Sequence, residues 1–556
     1  MAEKWQTGRR ATGRSWRPLS AWTRLPSTVS RLVLVPVDLM SPDPGFLDEA
    51  ARGVFCLGEH TLEVGLDSPF TLPRAPDDWS AELHGFSWLG HLRADGSAAA
   101  ASLARRLVAT WIAEHRRPRG LAFRLDVLAT RVTSWLVNAG LLLDDAEPDF
   151  YRAVLSSLGR QIRLLDTERH RAAEGVERLF PLIALLQAAL SIGAAKRHVD
   201  RLQRELEAEL RGQILPDGAH VTRNAARVVE ILARLLPLHR CCHALDRPAD
   251  ELGDTIARMI AHLRFMRLSD GTLARFNGCG ATRHDLLGMV LAYDPDDGVP
   301  VSQRQAASYV RLQCAETVVL VDAGRSPPLA HATAAHAGCL AFEMSAGKYA
   351  LLRSCGAPRP STGDTPYAAR ATSSHNTLAL DARSSAKLVE ATQPTHASGA
   401  RAIRGPNRVA AGIEESEDVL VFTGEHDGYV EETGIVHTRR LALARHGRRL
   451  DGVDRLAGPS GVLRLPVDLP FAIHFHLASG VKARVDVDGQ GATLTTADGQ
   501  VQWRLTLAGA RLTLEPSTDW ADVSGPRASR QLVARASTPG ESIVSWSLQI
   551  TDAAAV

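Results

Sequence analysis

Lysine is almost missing from this sequence. Of 64 basic residues in 556, five are lysine (Lys4, Lys196, Lys348, Lys387 and Lys482) and the other 59 are arginine. Genomic base composition gives such a bias without any function; arginine forks also suit carboxylate and sulfate groups. Aromatic residues are scarce too, at 5%, which is little for a long sugar-stacking groove. The seven cysteines (Cys56, Cys241, Cys242, Cys279, Cys314, Cys339 and Cys355) are odd in number, scattered and without CxxC spacing. That speaks against a disulfide framework or a zinc–thiolate knuckle, and their expected place is the core, as small hydrophobes. No apolar run reaches the roughly 18 residues of a membrane-spanning helix. A net charge of +2 supplies no field to recruit nucleic acid or a membrane. There is no GxGxxG after a strand, no Walker loop, no HExxH and no GxSxG, so nucleotide-binding, zincin and α/β-hydrolase chemistries lose support.

What is present suffices for two to four domains, with 45% hydrophobic and 23% charged residues, both ordinary globular values. Residues 1 to about 45 read as a loosely ordered, flexible arm. It is basic at Arg9, Arg10 and Arg14, carries Trp5, Trp16 and Trp22, and ends in the turn cluster Pro42-Asp43-Pro44-Gly45. Its apolar stretch Leu32–Val37 is short, starts late and lacks a small-residue cleavage site. It does not read as a secretory signal, so the sequence by itself points to the cytoplasm.

From about 98 to 270 apolar residues recur at helical spacing. One helix is expected over Ser102–Arg116, with Leu103, Leu107, Trp111 and Ile112 on one face and Pro118 and Gly120 ending it. A second is expected over Leu125–Leu143, and others over 149–165, 178–192, 195–215, 223–244 and 250–267. Short connections make neighbours antiparallel, as in an α/α toroid or a bundle, between which periodicity cannot choose. After about 300 the period becomes two. Fourteen strands are expected, from Thr317–Asp322 to Ile543–Leu548, separated by turns such as Asp488-Gly489 and Asp498-Gly499. Short strands without intervening helices predict an antiparallel β-sandwich. The sharpest composition shift is Asp294-Pro295-Asp296-Asp297-Gly298-Val299-Pro300. The expected division is an arm over 1–45, a helical domain over 46–290 and a sandwich over 300–552.

Local strings narrow this architecture. Gln213–Asn224, with Asp217-Gly218-Ala219-His220, and Asp270–Gly278 resemble helical-domain segments of the heparinase II/III-like family. Ala335-His336-Ala337-Gly338 and Ser374-His375-Asn376-Thr377-Leu378 resemble its histidine-bearing strands, and His426–Tyr429 and His474-Phe475-His476 are further matches. The resemblance runs from roughly 80 to 550. It implies an incomplete α/α toroid followed by a sandwich, a uronate-containing anionic polysaccharide as partner, a cell-envelope or periplasmic setting, and cleavage by β-elimination in a cleft between the domains. Its alternative is a non-catalytic glycan-binding or polysaccharide-assembly protein that keeps the fold.

β-Elimination needs a group that neutralises the uronate carboxylate, a base for the C5 proton and an acid for the leaving oxygen. By resemblance, Arg223 or Asn224 would hold the carboxylate and His220 would share in proton transfer. Residue by residue, Asn224 also reads as a helix cap and Asp217-Gly218 as a turn. His336 and His375 are expected to face the cleft together, either catalytically or as ligands of a zinc ion in the sandwich. The family's third ligand is an aspartate; here Leu351–Gly356 holds no carboxylate, which leaves Cys355 as the substitute. Lyases of the family carry a tyrosine about ten residues after the Asp-Gly, where this chain has Arg227. Tyr309 and Tyr367 are the alternative tyrosines. Asn277, Arg283 and Trp88 are candidate substrate contacts, although Trp79 and Trp88 also suit an interdomain plug. Arg439-Arg440 reads as solvated strand charge.

Overall fold

The computed structural model describes residue 25 and residues 28–551, apart from 66, 294–304, 307, 359–366, 392–399, 459–467, 523 and 539–541. The expected domain boundary at 294–300 and residues 1–24 of the arm lie outside the described residues.

Residues 46–291 build the helical domain. A short helix α1 (Phe46–Ala51) and a hairpin of β1 (Val54–Leu57) and β2 (His60–Glu63) precede two short helices, α2 (Asp77–Gly85) and α3 (Leu89–Asp95). Then follow α4 (Ala98–Glu114), α5 (Leu125–Val137), α6 (Ala139–Leu143), α7 (Pro148–Glu168), α8 (Val176–Ser191), α9 (Lys196–Gln213), α10 (Ala225–Ala244), α11 (Asp250–Met266) and α12 (His284–Leu291). Helices α2, α5, α8, α10 and α12 contact one another in series as an inner arc, with α4, α7, α9 and α11 outside. Ordered as inner and outer arcs, the antiparallel pairs make an α/α toroid, which is the choice that periodicity left open. Inner α8 is buried along nearly its whole length, whereas outer α9 buries only the stripe His198, Val199, Leu202, Leu206, Leu210 and Gln213. The inner faces surround a hollow of about 340 Å3. The helix expected over 125–143 breaks at Asn138, whose buried amide turns back to the Ser134 carbonyl at 2.9 Å. The described part of the arm is packed rather than loose: Leu25 is buried and its N–H bonds Asp166, and the Val33 N–H bonds the Ser191 carbonyl at 2.8 Å.

The second half is a set of antiparallel sheets. The central layer pairs β3 (Gln305–Ala306), β4 (Tyr309–Cys314), β5 (Thr317–Asp322), β6 (Phe342–Ala346) and β7 (Tyr349–Leu352) in that order. A four-stranded sheet contains β8 (Leu378–Leu380), and β9 (Lys387–Glu390) pairs with β10 (Arg401–Arg404). The eight-stranded sheet begins β11 (Val409–Glu415), β12 (Val419–Tyr429), β13 (Ile435–Ala444), β14 (Arg449–Ala457). It continues through the last strand, Ile543–Thr551, to Lys482–Val485 at its far edge.

The central layer joins the domains. Tyr309, Val318 and Leu320 pack into the helical core, while Val310, Leu312, Val319 and Val321 pack into the sandwich core. Covered on both faces, β5 reads as the unbroken run TVVLVD rather than an alternation.

Candidate functional site

The Asp217-Gly218 turn carries the chain from α9 back toward α10. Gly218 has φ +84 and sits so close to α11 that a Cβ there would fall 2.0 Å from the Arg258 carbonyl oxygen. His220 is buried. Its Nε2–H donates to the Gln213 Oε1 at 3.1 Å, and its Nδ1 accepts from the Thr222 hydroxyl at 2.7 Å. Burial, then Arg227 and His331, lower its pKa to about 3, so the ring is neutral and both nitrogens are engaged. The Asn224 side chain accepts the Ala226 N–H at 2.9 Å and caps α10, the role its residue type suggested.

Arg223, at φ +59, turns inward to the seam between the domains. Its guanidinium meets Asp322 Oδ1 at 2.6 Å, donates to the Arg325 carbonyl at 2.9 Å, and lies 4.3 Å over the Tyr309 ring. Although burial opposes its charge, Asp322 holds Arg223 above the ordinary guanidinium value. Asn277 donates to the Tyr309 hydroxyl at 2.7 Å and to Asp322 Oδ2 at 3.2 Å. The Tyr309 hydroxyl in turn donates to the Arg223 carbonyl at 2.7 Å. Burial pushes the Tyr309 phenol well above its usual value. His336 joins through its backbone N–H, which Asn277 Oδ1 accepts at 3.4 Å.

The His336 and His375 rings are 5.1 Å apart, but both are buried where they were expected to face a cleft. None of their four ring nitrogens has a hydrogen-bond partner. Burial, then Arg370, lowers the His336 pKa to about 3; burial, then His336 and His476, holds His375 well below the ordinary imidazole value. Five of the expected residues, Arg223, Asn277, Tyr309, His336 and His375, thus come together around Asp322, which sequence reasoning missed, and all are closed to solvent.

The remaining candidates lie elsewhere. Trp88 is buried in the helical core, with its indole N–H on the Leu83 carbonyl at 3.0 Å and its ring near Phe46 and Phe86. It plugs a core and presents no face to a sugar. Arg283 is exposed, bonds Asp285 at 3.1 Å and lines the toroid hollow. Tyr367 is exposed at the start of a short helix, Tyr367–Arg370.

The donor set does not suit the zinc ion that the resemblance implies. Among the described residues no group of three or more His, Cys, Asp or Glu could hold a metal. Cys355 sits with His476 Nδ1 at 3.4 Å and Ser517 at 3.6 Å, and burial pushes its thiol up to about 11, away from the thiolate a metal needs.

Arg439 corrects the expectation of a solvated charge. It is fully buried, forks onto both oxygens of Asp454 at 2.8 and 3.1 Å, and donates to the Leu340 and Asn376 carbonyls. The same carboxylate accepts from the Trp546 indole at 3.0 Å and from His437 at 2.8 Å, and His437 meets His426 at 3.2 Å. Four donors keep Asp454 ionised.

Residues 298–547 match a family model described as heparinase II/III-like, C-terminal. A solved structure of heparinase III covers 94% of this chain and 87% of its own at 13% identity, with a TM-score of 0.70. The heparan sulfate lyase HepC of Pedobacter heparinus covers 96% and 87% at 17% identity, with a TM-score of 0.62. FtsZ-localized protein C of Caulobacter vibrioides is 26% identical over 495 residues, 87% of this chain and 84% of that protein.

Proposed function

Because residues 298–547 match the heparinase II/III-like C-terminal family and the chain shares the fold of heparinase III, we propose that it is a lyase-fold protein that binds a uronate-containing polysaccharide of the cell envelope without cleaving it. One observation carries this reading: the groups that would move protons are spent or sealed. The Tyr309 hydroxyl donates to Arg223 and accepts from Asn277 inside the seam. His220 has both nitrogens bonded, to Thr222 in its own loop and to Gln213 at the end of α9. Arg227 stands where the family's tyrosine is expected and pairs with Glu230 at 2.7 Å. Arg223, the candidate for the substrate carboxylate, is neutralised by Asp322. A base must come within hydrogen-bond reach of the proton it removes, and a buried hydroxyl with two protein partners does not reach a polymer.

The test mixes the folded protein with heparin, heparan sulfate, alginate and bacterial uronate polymers. It follows both retention on the immobilised polymer and absorbance of the unsaturated product. Binding without absorbance is expected. Steady growth of absorbance would overturn the proposal in favour of a lyase. That second reading draws its support from the two adjacent imidazoles with no hydrogen-bond partners.

The similarity to a protein named for localising with FtsZ supports a place beside the division apparatus. A fluorescent fusion concentrated at midcell is the expected image, and an even distribution through the cell counts against it.

A further inference from the structure

The sandwich also carries a hollow of about 590 Å3. This is inside the range of roughly 300–1,000 Å3 typical of small-ligand pockets. Ala410, Glu425, Thr438 and Arg455 are register neighbours across β11, β12, β13 and β14, so they share one face of the sheet. Side chains alternate along a strand, which puts this row on the face opposite the buried His437, Arg439 and Asp454. Two further arginines reach the hollow from separate segments, Arg325 after β5 and Arg408 before β11.

Both of these arginines are held by their backbones and left free at their tips. The Arg325 carbonyl is bound by Arg223 at 2.9 Å, and the Ser326 hydroxyl bonds the Gly405 carbonyl. Asp427 Oδ1 accepts the N–H groups of Asn407 and Arg408, each at 2.9 Å. That carboxylate is therefore committed to shaping the turn. Among the described residues neither the Arg325 nor the Arg408 side chain has a hydrogen bond or an ion pair, and both are exposed. Two guanidinium groups without a hydrogen bond or ion pair, at the rim of a polar hollow, suit a carboxylate, which accepts two parallel N–H bonds from a fork. Glu425, Thr438 and Asn407 supply the acceptors and donors that sugar hydroxyls use.

The geometry points to this hollow as the binding site for an acidic sugar unit of the hexuronate class. Arg325 and Arg408 grip the carboxylate, and Glu425, Thr438 and Asn407 meet the hydroxyls. The assignment rests on the reading of the chain as a binder of uronate glycan and adds to it a site.

Titration calorimetry of the full chain with a heparosan tetrasaccharide, and with maltotetraose as the neutral counterpart, tests it. The acidic sugar is expected to bind and the neutral one not. Arg325→Ala and Arg408→Ala should each weaken binding about tenfold or more, the scale of a lost charge-assisted contact. Arg484→Ala, at the far edge of the same sheet, should leave it unchanged. Melting temperatures of the exposed-arginine variants verify that they fold. If the Arg325→Ala/Arg408→Ala double variant binds within about twofold of the parent, the hollow is not the site, while glycan binding stands. Equal affinity for maltotetraose removes the acidic class. If the parent binds neither sugar at about millimolar concentration, the broader glycan-binding reading falls with the site.

Discussion

Arg223 and Asp322 sit buried at 2.6 Å in the seam, and removing one strands the charge of the other. Asp322→Ala should cost about 3–5 kcal/mol of unfolding free energy, while Arg223→Met with Asp322→Leu should cost less than either single change. Denaturant melts read this directly, and a single variant as stable as the parent would contradict it. A second residue-scale consequence concerns acid. Folded His84, His220 and His336 have pKa values lowered to about 3, and His262, His474 and His476 to about 4, burial being the first cause at each. The unfolded chain takes up protons on these rings near 6.5, which the folded chain refuses. Stability is therefore complete above about pH 6.5 and falls as pH drops toward 4, by roughly 1.4 kcal/mol per pH unit for each such ring. The denaturant midpoint should move down between pH 7 and pH 5, and an unchanged midpoint refutes the account. The fate of Arg439 shows what could not be read at this scale. Period-two alternation says that one of Arg439 and Arg440 faces inward. Only the pairing of Arg439 with Asp454 across two strands decides which, and a single sequence does not display register.

Elements with enough turns or alternations announced themselves. The strand Thr317–Asp322 was legible to the residue, and the long helices to within a few positions at each end. Helices α2 and α3 went unread because nine and seven residues give too few turns for a periodicity to register. Strand β4 was missed for a different reason. Its central Arg311 reads as an outward charge, yet it is buried and donates to the Phe265 and Arg267 carbonyls at 2.8 and 2.6 Å across the seam. Within the eight-stranded sheet, β14 approaches its neighbour at Gly452, where a Cβ would fall 2.1 Å from the Trp546 ring. Gly452→Ala should therefore destabilise by about 1–3 kcal/mol through overpacking. It should also dim or shift the fluorescence of Trp546. A variant with the parent's stability and spectrum would show that the ring can step aside.

Across the whole molecule, buried charges rather than apolar contact alone bind the two halves. Arg275 pairs with Asp519 at 2.8 Å, Glu343 accepts the Arg275 backbone N–H at 3.1 Å, and Arg353 donates to the Leu273 carbonyl at 2.8 Å. With β4 and β5 belonging to both cores, separating the halves would also strip Arg223 of Asp322 and Arg275 of Asp519. Calorimetry should accordingly show one cooperative transition for the full chain, and two well-separated peaks would exclude that coupling. The order of helices and strands revealed this architecture, and the family strings gave the expectation that His336 and His375 would face a cleft together. That they meet behind a closed seam was not legible, because closure depends on how tightly Arg223, Asn277 and Tyr309 pack, which no spacing of residues encodes. The arginine hollow was hidden for a similar reason: Arg325, Arg408 and Arg455 converge only after three distant segments are brought to one sheet face.

The extended strap from residue 28 onward runs along the helices, held by the Val33–Ser191 bond and by the Arg93–Asp38 pair. Traction applied upstream of it would load those contacts in parallel, as shear, instead of peeling them one at a time. The helical ring, which holds both contacts, would bear that load first.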